Sequence, residues 1–138
     1  MIKTIPGFCA TDDRGSVRFA NDFTFENVKR FYQVQNHRSG FIRAWHGHQH
    51  EGKYVWVAKG SALVGAFPLN DKSQIFKTVL TDVTPKVLYI PAGYANGFKT
   101  LTPDTIVQFF STSTLEESKT DDIRMPYDTV DIWQEEYR

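Results

Sequence analysis

Short runs of β-branched and aromatic residues, broken every few positions by glycine, proline, asparagine or aspartate, fill the chain up to residue 113. The runs VKRFYQV (28–34), GFIRAWH (40–46), KYVWVAKGSALVGAF (53–67), KVLYIPAG (86–93) and TIVQFFSTS (105–113) have the composition and punctuation of strands. No convincing 3.6-residue period precedes residue 115, so the pattern predicts an all-β antiparallel sandwich or barrel. With 138 residues, 41% hydrophobic and 14% aromatic, the chain can close one core, and a single domain over 1–138 is expected. The short, irregular C-terminal tail carries Ile123, Met125, Ile132 and Trp133 and is expected to pack back onto that core.

Sixteen basic residues balance sixteen acidic ones, which argues against a nucleic-acid or anionic-membrane partner and requires any anionic ligand to be held locally. Cys9 is the only cysteine, and no stretch is long and apolar enough for export or a membrane span, so a cytoplasmic location is expected.

Chemistry concentrates in GFIRAWHGHQHEGKYVW (40–56). In a regular strand residues i, i+2 and i+4 share a face, which would align His46, His48 and His50 with Ile42 and Ala44. Such a ladder has three readings: a metal site, a proton-transfer site, or wall histidines with satisfied hydrogen bonds. The G-x5-H-x-H block formed by Gly40, His46 and His48, followed by Gly60 and a later P-x-G turn at Pro91 and Gly93, resembles the cupin superfamily. That resemblance implies a double-stranded β-helix, a jelly-roll barrel. A metal-binding cupin would add a glutamate where this chain has Gly52 or Lys53, and a third histidine where it has Asn96. Glu51 is one step off, which in a strand would turn it to the opposite face. The Lys53 ammonium would also repel a divalent cation, so no metal and no cofactor is expected, His50 being the one residue that would restore a third ligand. A histidine base beside a cation suits proton abstraction next to a carbonyl, with Lys53 or Arg43 at the developing enolate oxygen.

The blocks DDRGSV (12–17), FYQVQN (31–36), GFIRAWHGH (40–48), GKYVWVAKG (52–60), YIPAGYANGF (89–98) and DDIRMPYD (121–128) together resemble the dTDP-4-dehydrorhamnose 3,5-epimerase family, in family order and over nearly the whole chain. The resemblance implies a metal-independent homodimer acting on a nucleotide-linked 4-keto-6-deoxy sugar, in surface polysaccharide or deoxysugar biosynthesis. By position, His46 matches the catalytic base, Asp128 its supporting carboxylate and Lys53 the lysine near the keto oxygen. Arg43 matches the arginine that holds the diphosphate. Arg14 matches a nucleotide contact that often crosses the dimer, and Gln35 another, with Asn36 beside it in the substrate-binding set. Tyr32 and Tyr94 adjoin these blocks and are expected to reach the pocket.

Two positions depart from the family. The strand after P-x-G normally supplies an acid tyrosine, and the matching place holds Phe110; the usual AHGF is ANGF, with Asn96, assigned to substrate binding, in place of a histidine. Tyr32, Tyr94 and His48 are the remaining candidates to return the proton. The R-x-x-H-x-H block and the KRFY strand are shared with sugar-nucleotide 3,4-ketoisomerases, in which His48 would be catalytic, and this is the alternative activity. A non-catalytic sugar-nucleotide binding protein is the third reading.

Overall fold

A computed structural model describes residues 1–138. The strands in chain order are β1 (Lys3–Pro6), β2 (Phe8–Asp12), β3 (Gly15–Phe19), β4 (Arg30–Gln35), β5 (Ile42–His48), β6 (Lys53–Lys59), β7 (Ser61–Pro68), β8 (Phe76–Thr81), β9 (Lys86–Ile90), β10 (Tyr94–Thr100), β11 (Ile106–Ser111) and β12 (Ile123–Arg124). Helix α1 (Leu115–Lys119) separates β11 from β12, and a single 3-10 turn spans Tyr127–Thr129. Two five-stranded sheets form, ordered β1-β9-β6-β11-β4 and β12-β5-β10-β7-β8, with β2 and β3 as a separate hairpin. Every pairing is antiparallel, as the strand pattern predicts.

Alternation builds the core between the sheets. The first sheet contributes Val55, Val57, Leu88, Ile90, Val107 and Phe109; the second contributes Ala62, Val64, Ala66, Leu80 and Phe98. The sequence run 53–67 is not one strand. Gly60 breaks it with φ +85°, a left-handed conformation that glycine adopts without a Cβ clash, and passes the chain from the first sheet to the second.

A second cluster lies on the outer face of the second sheet, where Trp45, Phe67 and Ala95 meet Trp133. The indole N–H groups of Trp45 and Trp133 both donate to the carbonyl of Tyr127, each at 3.0 Å, so the tail is docked by hydrogen bonds as well as apolar burial. Met125 and Ile132 join that cluster as expected, whereas Ile123 on β12 stays outside it, 37% exposed. Helix α1 begins at a capping box: the Glu117 amide donates to Thr114 Oγ1 and the Thr114 amide to the Glu117 carboxylate. The T-x-x-E spacing at 114–117 carries that signal in the sequence. No helix is long and apolar enough to cross a membrane.

One irregularity in β5 decides which side chains face inward. Asn96 pairs with His46, but Phe98 pairs with Arg43, so β5 carries an extra residue opposite Gly97. Ala44 and Trp45 therefore both turn toward the outer cluster, as does Ile42, while Arg43 joins His46 and His48 on the inner side. This corrects the simple alternation, which placed Ile42 and Ala44 with the histidines. A Cβ on Gly97 would collide with Ala44 and lie 3.0 Å from the Arg43 carbonyl, so only glycine leaves room for the bulge.

Candidate active site

A cavity of about 370 Å³ opens between the two sheets. Arg43, His46 and His48 of β5, Asn96 and Phe98 of β10 and Arg124 of β12 form one wall. Arg30, Tyr32 and Val34 of β4, Lys53 of β6 and Phe109 of β11 form the facing wall, and α1 with Asp122 closes the side. Five cationic side chains, Arg30, Arg43, Lys53, Lys119 and Arg124, stand against the single lining carboxylate of Asp122. The overall charge of the chain is zero, so this concentration is local and complements an anionic ligand such as a diphosphate.

Both inward histidines are held as neutral bases. Burial pushes His46 below the ordinary imidazole value of 6.5, and the charges of Lys53 and Arg124 act in the same direction, with Asp122 opposing. Burial likewise depresses His48, again reinforced by Lys53, while the Asp121 carbonyl and the Glu51 carboxylate pull the other way. The His48 ring has a fixed tautomer. Its Nδ1 lies 2.6 Å from the carbonyl oxygen of Asp121, and a carbonyl only accepts, so Nδ1 carries the hydrogen. Nε2 then presents a lone pair, and that atom is buried without a partner.

Lys53, only 7% exposed, lies across the cavity from the histidines. Its ammonium is 5.8 Å from the centroid of Tyr32 and 5.7 Å from that of Phe109, and it makes no ion pair. Tyr32 stacks on Phe109 with centroids 5.0 Å apart and rings 13° from parallel. Asn36 accepts a 2.6 Å hydrogen bond from Arg43 Nε, so it orients the arginine. Asn96 donates to the backbone carbonyl of His46 at 3.4 Å.

The structure thus gathers His46, His48, Lys53, Arg43, Tyr32 and Asn96 around one cavity, with Asn36 behind Arg43. Other expected residues stand elsewhere. Asp128 is exposed on the 3-10 turn, outside the lining, because Trp45 and Trp133 anchor that turn on the outer face of the second sheet. Gln35 is exposed and reaches toward the carbonyl of Asp104, since alternation along β4 turns Tyr32 and Val34 inward and Gln35 outward. Tyr94 packs against the main core rather than the cavity. Arg14 sits at the tip of the β2–β3 hairpin, paired with Asp12 and largely exposed. His50 lies beyond the end of β5, exposed, its amide donating to the Asp121 carboxylate.

The inward ring of β11 and the place of Glu51 both differ from the sequence reading. Phe109, not Phe110, faces the cavity; Phe110 points outward and packs against Phe23, Phe25 and Phe31. Neither ring can donate a proton. Glu51 is not flipped away from the histidines: β5 ends at His48, the chain bends, and Glu51 is buried at 2% exposure with Oε1 3.6 Å from His48 Nδ1. Sequence reasoning also missed Asp121, Asp122, Arg124 and the α1 wall, since the short polar segment 115–124 has no periodic pattern to place it.

The comparisons with known proteins bear on the fold and the family. The family model described as dTDP-4-dehydrorhamnose 3,5-epimerase matches residues 6–136. No curated protein matches the sequence. Among solved structures, the rmlC epimerase of Mycobacterium tuberculosis superposes with a TM-score of 0.76 at 18% identity, covering 90% of this chain and 68% of that one. A 3'-monoepimerase of Streptomyces bikiniensis in complex with dTDP-quinovose gives 0.78 at 18% identity over 93% and 71%. A 3,4-ketoisomerase of Thermoanaerobacterium thermosaccharolyticum in complex with TDP, a double mutant, gives 0.71 at 21% identity over 93% and 89%. The facing sheets are therefore an RmlC-like cupin fold. With nearly its full length matched by the family model, this chain belongs to the dTDP-4-dehydrorhamnose 3,5-epimerase family, whose members are sugar-nucleotide isomerases.

Proposed function

We propose that the protein epimerises a dTDP-linked 4-keto-6-deoxyhexose, or a close nucleoside diphosphate counterpart, at C3, C5 or both, as a step in polysaccharide or deoxysugar biosynthesis. The observation that carries this reading is the division of proton-handling groups between facing sheets, with His46 on β5 and Tyr32 on β4. Inverting a carbon requires a proton to leave from one side and return from the other, and opposed walls supply both sides.

In this mechanism neutral His46 removes the proton α to the C4 ketone, and the C–H electron pair moves into an enolate with charge on O4. The Lys53 ammonium stabilises that oxyanion. The Tyr32 phenol delivers a proton to the opposite face of the carbon, after which the imidazolium and phenolate exchange protons with water. Asp122, whose charge favours protonated His46, serves as the supporting carboxylate in place of Asp128. Arg43, set by Asn36, and the rim residues Arg124 and Lys119 hold the diphosphate. No metal enters the mechanism.

A homodimer fits the outer face of the first sheet, where Phe25 and Phe31 are 64% and 70% exposed beside Phe23 and Phe110. Arg14 on its projecting hairpin then contacts nucleotide across that dimer. The unpaired Cys9 suits a reducing, cytoplasmic compartment.

Proton NMR of dTDP-4-keto-6-deoxyglucose incubated with the protein in deuterium oxide tests the reading. Deuterium at C3 or C5, with inverted configuration and the ketone still at C4, is the expected result. A 3-keto product would make the protein a 3,4-ketoisomerase. No exchange on this sugar or its UDP and GDP counterparts would leave a binding protein.

Replacing Lys53 with methionine is expected to lower kcat by about 10²–10³, the magnitude of one lost oxyanion donor. It should also move the acid limb of the pH–rate profile upward, because the Lys53 charge depresses both histidines and its removal lets them hold protons to higher pH. Steady-state kinetics across pH 4.5 to 8 on the order of half-unit steps reads both effects.

A further inference from the structure

The chain buries a carboxylate that the mechanism above does not use. The Glu51 side chain is fully inaccessible and touches four elements of the site. Ser111 Oγ of β11 donates to Oε2 at 2.6 Å, Ser118 Oγ of α1 donates to Oε1 at 2.8 Å, and Arg30 of β4 lies 3.3 Å from Oε2. Its remaining neighbour is His48 Nδ1, 3.6 Å from Oε1. A buried carboxylate is costly unless its oxygens are partnered, and the partners of Glu51 include one imidazole whose outer nitrogen is buried and unpartnered.

We propose that Glu51 is a positioning residue that makes His48 a second proton-transfer group, directing His48 Nε2 at substrate in the cavity while compensating the imidazolium formed when Nε2 takes up a proton. The inference rests on the epimerase reading for its substrate. Asp121 supplies the carbonyl that fixes the Nδ1–H tautomer, and Glu51 supplies the negative charge behind it. Arg30 and the two serines hold that carboxylate in place. A base oriented by a carboxylate that never itself takes the proton is a recurrent catalytic arrangement. The two histidines then differ: His46 has Asp122 in its surroundings, and His48 has Glu51.

The charged groups facing His48 are Lys53 from β6, Glu51 below it, Asp121 behind it and His46 beside it, with Arg30 reaching it only through Glu51. Lys53 works against protonation and the two acids favour it. Removing the Glu51 charge therefore shifts the His48 titration to lower pH.

The test combines Glu51→Gln, which keeps size and one acceptor, with Glu51→Asp and Ser118→Ala. Nitrogen-15 correlation spectra of the imidazole rings in the free protein report the His48 tautomer and titration without reference to turnover. The expected result is an Nδ1–H tautomer in the wild type and a titration displaced to lower pH in Glu51→Gln. The kcat for deuterium incorporation should fall about 10- to 100-fold, below the full worth of a general base, with KM little changed. Its acid limb should move in the same direction as the ring titration, and Glu51→Asp should restore part of both. An Nε2–H tautomer, or a His48 titration unmoved in Glu51→Gln, would overturn the proposal. So would Ser118→Ala reproducing the whole rate loss with no shift at His48, since Glu51 would then merely hold α1. Absence of exchange in the wild type would count against the epimerase reading alone, because the ring titration still reports the Glu51–His48 coupling.

Discussion

Replacing His46 with alanine is expected to lower the rate of carbon–hydrogen exchange by about 10²–10⁴, equivalent to about 3–5 kcal/mol of transition-state stabilisation. The size of the effect follows from what remains. His48 is on the same wall and neutral, but its ring is tethered through Nδ1 to Asp121, so it cannot swing into the vacated position without breaking a 2.6 Å hydrogen bond. Binding should change little, because the diphosphate contacts assigned to Arg43, Lys119 and Arg124 are untouched. The check is a comparison of deuterium incorporation at C3 and C5 in wild type, His46→Ala and His48→Ala. A His46→Ala protein within tenfold of wild type, with His48→Ala inactive, would transfer the primary base to His48. The pH dependence adds a second signature. Both histidines have native values depressed below 6.5, so the unfolded chain binds more protons than the folded one as pH falls through 6.5. Activity and stability should therefore both hold above that value, and both should decline below it toward the native values.

The strand content and the antiparallel sandwich were legible because alternation and turn residues are local signals. Gly60 could be read as a break, yet nothing local says that the strands either side of it join different sheets. The site was legible in its residue types and less so in its directions. His46, His48 and Lys53 converge as expected, but every argument from strict parity that crossed an irregularity failed. The bulge opposite Gly97 exchanged Ala44 for Arg43 on the inner face. The end of β5 at His48 brings Glu51 under that histidine, where strict alternation turns it away. In β11 alternation is regular and turns Phe109 to the cavity and Phe110 outward. Asp128 shows another limit: it lies where a motif would place a supporting carboxylate, while the tryptophan anchors on the tail carry it to the outside. Bulges, strand ends and tail docking are tertiary events, and one sequence holds no register against which to see them.

Replacing Tyr32 with phenylalanine is expected to separate exchange from inversion. The stack on Phe109 and the apolar body of the ring survive the change, so folding and substrate binding should be nearly preserved; only the hydroxyl is lost. His46 and Lys53 still generate the enolate, and deuterium should still enter the sugar, returned by the same histidine to the face it left. Inversion needs a donor on the β4 wall. Phe109 and Val34 cannot provide one, and Lys53 and Arg30 are cations whose deprotonation there would remove the charge that stabilises the enolate. Net epimerisation should therefore fall by about 10²–10⁴ while label incorporation with retained configuration falls far less. Coupling constants at C3 and C5 in the product spectrum distinguish the two outcomes directly. If inversion persists at the wild-type rate, the proton comes from water or α1, and Tyr32 serves only as a stacking platform. If exchange and inversion are lost together, the phenol acts before the enolate forms, as a hydrogen-bond donor to O4 alongside Lys53. The one cavity-lining phenol stands on β4, and β11 offers the cavity only Phe109, so this variant removes the sole phenolic donor.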